Sequence, residues 1–220
     1  MTSSPELSRR ALIGGLGACL ALSLAPRASR ADDTPKINPD RIYHNRRSGE
    51  SVRFTEVCAE RVAFEWHLRP GGFIPFEHWH ADQDEVFEVR KGRLELLLNG
   101  SPVLAGPGDT VRVPMGADHA GNNRAEGETV VDVAWEPGLD AGLGGLVYWG
   151  LVDDGFVHED GRPHLLKVAV LTSHLIARSC PSNVPLWAFD FSRARFAALR
   201  ARPQYQELYK RYTGLTLPVG

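Results

Sequence analysis

The chain has 220 residues, 43% hydrophobic and 24% charged, which suits one medium domain with an ordinary core. Its 25 basic and 27 acidic residues give a formal net charge of −2, so the strongly basic character of nucleic-acid-binding proteins is excluded. The three cysteines, Cys19, Cys58 and Cys180, form no CxxC pair, which argues against a thiolate zinc site. A disulfide between Cys58 and Cys180 and two separate buried thiols both remain open.

Residues 1–31 are predicted to be an export signal and not part of the fold. Arg9-Arg10 precedes an apolar, Gly-rich run of about 15 residues, shorter than the ~20 that span a bilayer as a helix. Residues 8–13 resemble the twin-arginine export motif, which implies export of the folded protein to the periplasm or the medium. An ordinary secretory signal and a lipoprotein box at residues 16–19 are the alternative interpretations.

A polar linker is predicted over residues 32–40, and residues 41–137 are predicted to form short β-strands separated by Gly, Pro, Asn and Asp. The pattern is clearest where Val62, Phe64, Trp66 and Leu68 alternate with other residues. Asn99-Gly100 is a strong signal for a two-residue hairpin turn. The predicted strands are 51–57, 61–69, 85–90, 94–98, 109–113 and 129–135. Their spacing favours an all-β sandwich or barrel.

Residues 138–220 are predicted to be a helical extension. Residues 142–150 are Gly-rich and apolar, whereas 165–176, 192–202 and 204–212 have helical length and composition, with Pro203 as the break between the last two. These last two segments carry six basic side chains among aromatic and apolar ones. Two interpretations stay open: contact with an anionic membrane surface, or packing on the barrel with a basic face in solvent.

Four side chains of the predicted barrel have the spacing of a metal site. His78 and His80 are two residues apart, so on a strand they face the same side. Glu85 follows a short turn and can face the same interior, and a Pro-Met-Gly corner can direct His119 into it. Three imidazoles and one carboxylate suit one divalent ion such as Mn, Fe, Ni, Zn or Cu.

These residues lie in two motifs that resemble those of the cupin family. The first, G-x5-H-x-H-x4-E-x6-G, runs from Gly72 to Gly92, and the second, G-x5-P-x-G-x2-H-x3-N, runs from Gly108 to Asn123. The resemblance implies a mainly β, RmlC-like jelly-roll barrel, also called a double-stranded β-helix, present in one copy. It also implies that His78, His80, Glu85 and His119 are metal ligands, and that the protein forms a homodimer. Residues 138–220 lie outside the motifs.

Strand alternation also predicts which side chains line a pocket beside the metal. They are Trp66, Phe76, Phe87, Val89, Val111, Val113 and Trp135. An apolar pocket around an open-sided metal favours a dioxygenase-type oxidoreductase acting on a small chelating substrate. A non-enzymatic cupin that binds a small ligand or a metal is the first alternative, because a fold does not establish an activity. An isomerase or epimerase is the second alternative. It ranks last because such an enzyme needs a positioned acid and base, and the inner face offers no obvious pair. The sequence assigns no catalytic residue.

Overall fold

The computed structural model describes Pro35 and residues 37–219. The predicted export signal, residues 1–31, lies outside the described residues and stays a prediction. The strands of the described part are β1 (Tyr43–Asn45), β2 (Glu50–Val57), β3 (Val62–Leu68), β4 (His78–His80), β5 (Asp84–Lys91), β6 (Leu94–Leu98), β7 (Ser101–Ala105), β8 (Thr110–Val113), β9 (His119–Asn122), β10 (Thr129–Glu136) and β11 (Ser179–Pro181). The helices are α1 (Ala141–Asp153), α2 (Leu165–Thr172), α3 (Leu186–Arg200) and α4 (Pro203–Thr213).

The strands form two antiparallel sheets. The first has the order β1-β2-β3-β10-β5-β8, and the second has the order β11-β4-β9-β6-β7. Apolar side chains that alternate along the strands fill the core, among them Phe54, Trp66, Phe87, Leu96 and Val133. The predicted mainly β jelly-roll fold with C-terminal helices is therefore confirmed.

The predicted hairpin at Asn99-Gly100 is present between β6 and β7. Leu98 and Ser101 are opposite each other, and both turn residues have positive φ angles, 47° and 75°. Positive φ at both central positions defines the type I′ turn, whose twist matches that of the flanking strands. The two-residue loop fixes the register of this pair.

Helix α1 contains residues 142–150, which the sequence prediction describes as Gly-rich and apolar without assigning them an element of their own. Its glycines let the helix approach its neighbours closely: a Cβ on Gly145 would lie 2.9 Å from Phe54 Cζ, and one on Gly150 would lie 2.3 Å from Tyr212 Cδ1. The helix is apolar on most sides because the barrel packs on one side and α2 and α4 pack on others. The apolar composition of α1 therefore follows from its burial between the barrel and the other helices, and the helix does not need a polar face.

The other helices lie near their predicted positions. Helix α3 begins at Leu186, six residues before the predicted start, and Pro203 is the first residue of α4, where its missing N–H costs no intrahelical hydrogen bond. A second hydrophobic cluster, which includes Leu151, Leu171 and Tyr209, joins α1, α2 and α4. This cluster attaches the C-terminal helices to the rest of the fold.

The basic residues of the extension do not all face solvent. Arg200 is buried and donates hydrogen bonds to the Pro218 carbonyl and to Ser173 Oγ. Arg193 donates to the carbonyl oxygens of Ser173 and Leu175. The basic face in solvent that the packing interpretation predicts therefore does not include Arg200, and Arg193 is only half-exposed. In the part of the chain that the structure describes, no helix combines the length and the apolar character needed to cross a bilayer.

The extension is also not wholly helical, because it supplies strand β11. Ser179, Cys180 and Pro181 pair with His80, Trp79 and His78 of β4. Cys180 is a buried free thiol and Cys58 is a half-buried one, so the disulfide interpretation is wrong. A segment far along the chain thus completes the sheet beside two of the predicted metal ligands.

Candidate metal centre

The two sheets contribute different donors to the predicted metal site. His78 and His80 lie on β4, and His119 lies on the neighbouring β9, where it is the pairing partner of His78. Glu85 lies near the start of β5 in the other sheet, opposite Trp135 of β10. Three imidazoles of one sheet therefore face one carboxylate of the other across the barrel interior.

The structure brings these four side chains together. One donor atom from each residue can be chosen so that all four atoms lie within 4.8 Å of one another. Glu85 Oε2 is 2.6 Å from His119 Nε2 and 3.1 Å from His80 Nε2. His80, Glu85 and His119 are buried, with His119 wholly inaccessible to solvent, and His78 is half-buried.

The donor set fits a divalent metal ion. Donors about 2.1 Å from a common ion lie at most about 4.2 Å apart, so a small contraction would bring this group into coordination distance. Buried Nδ1 atoms of His78 and His80 have no hydrogen-bond partner among the described residues. His119 Nδ1 donates to the Ala117 carbonyl at 3.1 Å, which orients its Nε2 toward Glu85. The group can therefore hold a metal ion.

The electrostatics of the site favour a neutral imidazole at His78 and an ionised carboxylate at Glu85. Burial, reinforced by the neighbouring His119 and His80, holds the pKa of His78 well below its usual range. Burial alone would raise the pKa of Glu85, but His80 and His119 outweigh it and hold the pKa well below its ordinary value. Burial lowers the pKa of His119, but its hydrogen bond to Glu85 outweighs burial and raises it.

A tryptophan outside the donor set orients the carboxylate. Trp135 Nε1 donates to Glu85 Oε1 at 2.9 Å, which leaves Oε2 to face the histidines. The Trp135 ring also packs against His80, with ring centroids 5.7 Å apart. Such contacts behind a ligand fix the direction in which it presents its donor atom.

A cavity of about 180 Å³ lies beside the cluster, and His78, His80 and Glu85 form part of its wall. Four of the predicted lining residues, Trp66, Phe76, Phe87 and Trp135, line it. Val89, Val111 and Val113 do not, which corrects the prediction: they pack in the hydrophobic core. Val111 and Val113 lie on β8, the edge strand farthest from β1. Val89 lies on β5 beyond Glu85 and Phe87, which are the residues of that strand that line the cavity.

The C-terminal segment forms a wall of this cavity that the sequence did not reveal. Its lining residues from α2 to β11 are Leu165, Val168, Thr172, Leu175, Ala177, Ser179 and Pro181. The sequence prediction also missed two lining residues whose side chains carry polar groups, Glu50 of β2 and Tyr148 of α1. Glu50 has the same parity as the buried Val52 and Phe54, and this signal could have identified it as inward-facing.

Comparisons with known proteins identify the domain that contains the cluster. Residues 64–135 match the family model described as Cupin domain, and all four donors lie in this range. No curated protein matches the chain.

Several solved structures are similar. One is KdgF from a Halomonas species, with 21% identity and a TM-score of 0.41, over 46% of this chain and 90% of that one. A sugar phosphate isomerase of the cupin superfamily from Silicibacter pomeroyi has 24% identity and a TM-score of 0.40, over 46% and 75%. The polyketide cyclase RemF from Streptomyces resistomycificus has 20% identity and a TM-score of 0.40, over 46% and 78%. Residues 64–135 are therefore similar to a cupin domain in sequence, and they lie in the two-sheet part of the fold.

Proposed function

We propose that the chain binds one divalent metal ion through His78, His80, Glu85 and His119, and that it is a dioxygenase-type oxidoreductase. Its substrate would be a small, largely apolar molecule that coordinates the ion through oxygen atoms. The observation that carries the proposal is the convergence of the four donors on the wall of a mostly apolar cavity. An octahedral ion with four protein donors keeps two positions for other ligands. When bound, the ion would supply Lewis-acid and redox chemistry.

The residues of the chain give the cavity its selectivity. Phe64, Trp66, Phe87 and Trp135 present aromatic surface, which favours a planar or apolar substrate body. An apolar cavity of about 150 Å³ is large enough for a benzene ring, so a single-ring molecule suits the space here. These side chains also exclude water from the site, which strengthens the interactions of Glu85 with its neighbours.

Charge argues against a phosphorylated substrate. Among the described residues, no Lys or Arg lines the cavity, so nothing there would neutralise a phosphate group. The negative charge of Glu85 beside the cavity would disfavour such a group further in the absence of metal. This favours an uncharged chelating molecule, such as an enol or a catechol, over a sugar phosphate.

The test combines metal analysis with oxygen uptake. Wild-type protein is loaded separately with Fe, Mn, Ni and Cu and assayed with catechol and enol substrates in an oxygen electrode. We expect about one ion per chain in wild type and in His44→Ala, which changes an exposed histidine, and a large loss in His80→Ala. An unchanged metal content in His80→Ala would show that the ligand assignment is wrong. Metal binding without turnover on any ion would favour the non-enzymatic alternative.

Export, membrane contact and dimerisation are further proposals from the sequence. Replacing Arg9 and Arg10 by lysine in the full chain should retain the protein in the cytoplasm if residues 8–13 are a twin-arginine motif. Sedimentation with and without anionic vesicles tests membrane contact of α3 and α4. If that contact is electrostatic, added salt should weaken it. Sedimentation without vesicles also measures the oligomeric state.

A further inference from the structure

Glu50 is a buried carboxylate in the same cavity as the metal cluster, and the metal site does not use it. It is the first residue of β2 and only 5% exposed. Its Oε2 accepts hydrogen bonds from Ser48 Oγ at 2.5 Å and from Asn45 Nδ2 at 3.4 Å, and its Oε1 accepts one from Trp66 Nε1 at 3.3 Å. All three partners are neutral. Burial, partly offset by these hydrogen bonds, raises the pKa of Glu50 to about 7.

The hydrogen-bonding capacity of Glu50 is not exhausted. A carboxylate has about four acceptor positions, two on each oxygen. Oε2 already accepts two hydrogen bonds, whereas Oε1 accepts one. One acceptor position therefore remains on Oε1 of a side chain that lines the cavity. A buried carboxylate without a positive partner gains most from a further hydrogen-bond donor.

Tyr148 lines the cavity as well, and the charge of Glu50 acts on the pKa of its phenol. Burial, together with the negative charge of Glu50, raises the pKa of Tyr148 well above its ordinary value. The ring is half-buried, and the structure gives its hydroxyl no hydrogen bond to any described residue. The hydroxyl thus remains a neutral group that can both donate and accept a hydrogen bond.

Helix α1 relates this polar pair to the metal cluster. Ala141, Gly144, Gly145 and Tyr148 lie on one face of the helix and all line the cavity. A Cβ on Gly145 would lie 3.2 Å from Cζ3 of Trp135, the residue that orients Glu85. Tyr148 follows about one helical turn, or ~5 Å, further along. The cavity therefore has two polar regions, with the aromatic wall of Phe64 and Trp66 also lining it.

We propose that Glu50 and Tyr148 form a second binding subsite, which holds a hydroxyl or amino group at the far end of a ligand whose other end reaches the metal. The ligand class is then a single-ring or similarly apolar molecule with an oxygen chelating group at one end and a hydrogen-bond donor at the other. Only the metal-bound end rests on the proposed function. Glu50 and Tyr148 lie outside residues 64–135, the range that matches the family model.

Trp66 provides a specific readout, because its indole N–H donates to Glu50. The Trp66 indole N–H resonance is followed by NMR while benzyl alcohol, benzylamine or ethylbenzene is added. Benzyl alcohol or benzylamine should give a saturable shift with at least about tenfold tighter binding than ethylbenzene, the gain expected from one hydrogen bond to a buried carboxylate. Comparison of the two polar probes distinguishes a preference for hydroxyl from one for amine.

The variants are Glu50→Gln and Tyr148→Phe, with Tyr43→Phe as the control because Tyr43 is buried in the core and does not line the cavity. Tyr148→Phe removes only a hydroxyl, and it keeps the test informative if Glu50→Gln unfolds. Both should abolish the preference for the polar probes, whereas Tyr43→Phe should keep it. Equal binding of the three probes to wild type, no saturable response to any probe, or an unchanged preference in Tyr148→Phe would overturn the subsite.

The same titration in His80→Ala separates the two proposals. The preference for the polar probes should persist there, because the subsite does not need the metal. A wild-type protein that binds no metal but retains this preference would contradict the proposed function alone. A wild-type protein that binds metal through the four donors but shows no preference would contradict the subsite alone.

Discussion

Arg178 and Asp82 are joined by two parallel hydrogen bonds, from Nε to Oδ2 at 2.9 Å and from Nη2 to Oδ1 at 2.7 Å. Asp82 lies in the turn that follows β4, and Arg178 directly precedes β11. The Arg178 carbonyl also accepts a hydrogen bond from the Ala81 amide. This paired contact fixes the position of β11 beside the strand that carries His78 and His80.

Replacing Arg178 by Gln should loosen this attachment. We expect a loss of about 1–2 kcal/mol in the free energy of unfolding, because the pair is bidentate and mostly buried. We also expect faster metal release, since β4 would lose support on one side. Urea unfolding and stopped-flow transfer of zinc to a chelator measure the two effects. Arg162→Gln is the control, because it breaks an exposed pair with Asp160 and should change stability by less than about 0.5 kcal/mol. Equal effects of both substitutions would contradict the anchoring role.

Replacing Trp135 by Phe should weaken metal binding although Trp135 is not a ligand. The substitution keeps an aromatic ring but removes the hydrogen bond to Glu85 Oε1. Loss of such a support typically reduces metal affinity by about 10–100-fold. Competition with a chelator of known affinity measures this change. Trp187→Phe is the control, because Trp187 is 72% exposed and lies on α3. An unchanged affinity in Trp135→Phe would show that the histidines alone orient Glu85.

The stability of the protein should fall in mild acid partly because of His174. Burial, followed by the positive charges of Arg200 and Arg193, lowers the pKa of His174 to about 4. In the unfolded chain its pKa is about 6.5, so below that pH the unfolded state takes up a proton that the folded state does not bind. The contribution of neutral His174 to the free energy of unfolding is complete above pH ~6.5. It is lost as the pH falls toward ~4, and the loss is at most about 3 kcal/mol.

Urea unfolding of wild type and His174→Phe between pH 7 and pH 4.5 tests this prediction. The variant should be less stable at pH 7, because it loses the contact of His174 Nε2 with the Tyr209 hydroxyl, but its stability should fall less with pH. His44→Phe, at an exposed position on β1, should keep the wild-type slope. Parallel pH profiles for wild type and His174→Phe would exclude His174 as a source of the acid sensitivity.

Gly150 and Gly144 of α1 should respond in opposite ways to alanine. A Cβ on Gly150 would lie 2.3 Å from Tyr212 Cδ1, and the Tyr212 ring is held by its hydrogen bond to Asp154 Oδ2 at 2.8 Å. Gly150→Ala should therefore destabilise the protein by about 1–3 kcal/mol despite the higher helix propensity of alanine. Gly144→Ala meets only Leu175 Cδ1 at 3.4 Å, so it should be neutral or stabilise by up to about 1 kcal/mol. Thermal unfolding of both variants measures the contrast.

The sequence predicted the elements whose side chains repeat locally. Residues 61–69 correspond to β3 because the sheet buries one face of that strand, so the alternation appears in the sequence itself. The four donors could be recognised for a related reason, since strand alternation and two turns direct them into the same interior from both sheets. The turn at Asn99-Gly100 could be predicted because both residues readily adopt the positive φ angles that it requires, without help from distant parts of the chain.

The elements that were missed depend on distant parts of the chain. Helix α1 contains several glycines and little amphipathic pattern, because its neighbours surround it and require small residues at close approaches. Strand β11 has only three residues and includes a proline, and its pairing with β4 makes it a strand. The cavity wall from α2 to β11 could not be predicted, because no local pattern indicates which part of the barrel the extension covers.

The pairing of β11 with β4 has a consequence for synthesis of the protein. Asp82 and Arg178 are 96 residues apart, so a ribosome must translate about four-fifths of the chain before β4 receives its outer neighbour. Until then the nascent barrel presents an open strand edge next to two histidines, and open edges invite pairing with other chains. Truncation before β11 would leave that edge permanently bare, and the shortened product would be prone to aggregate.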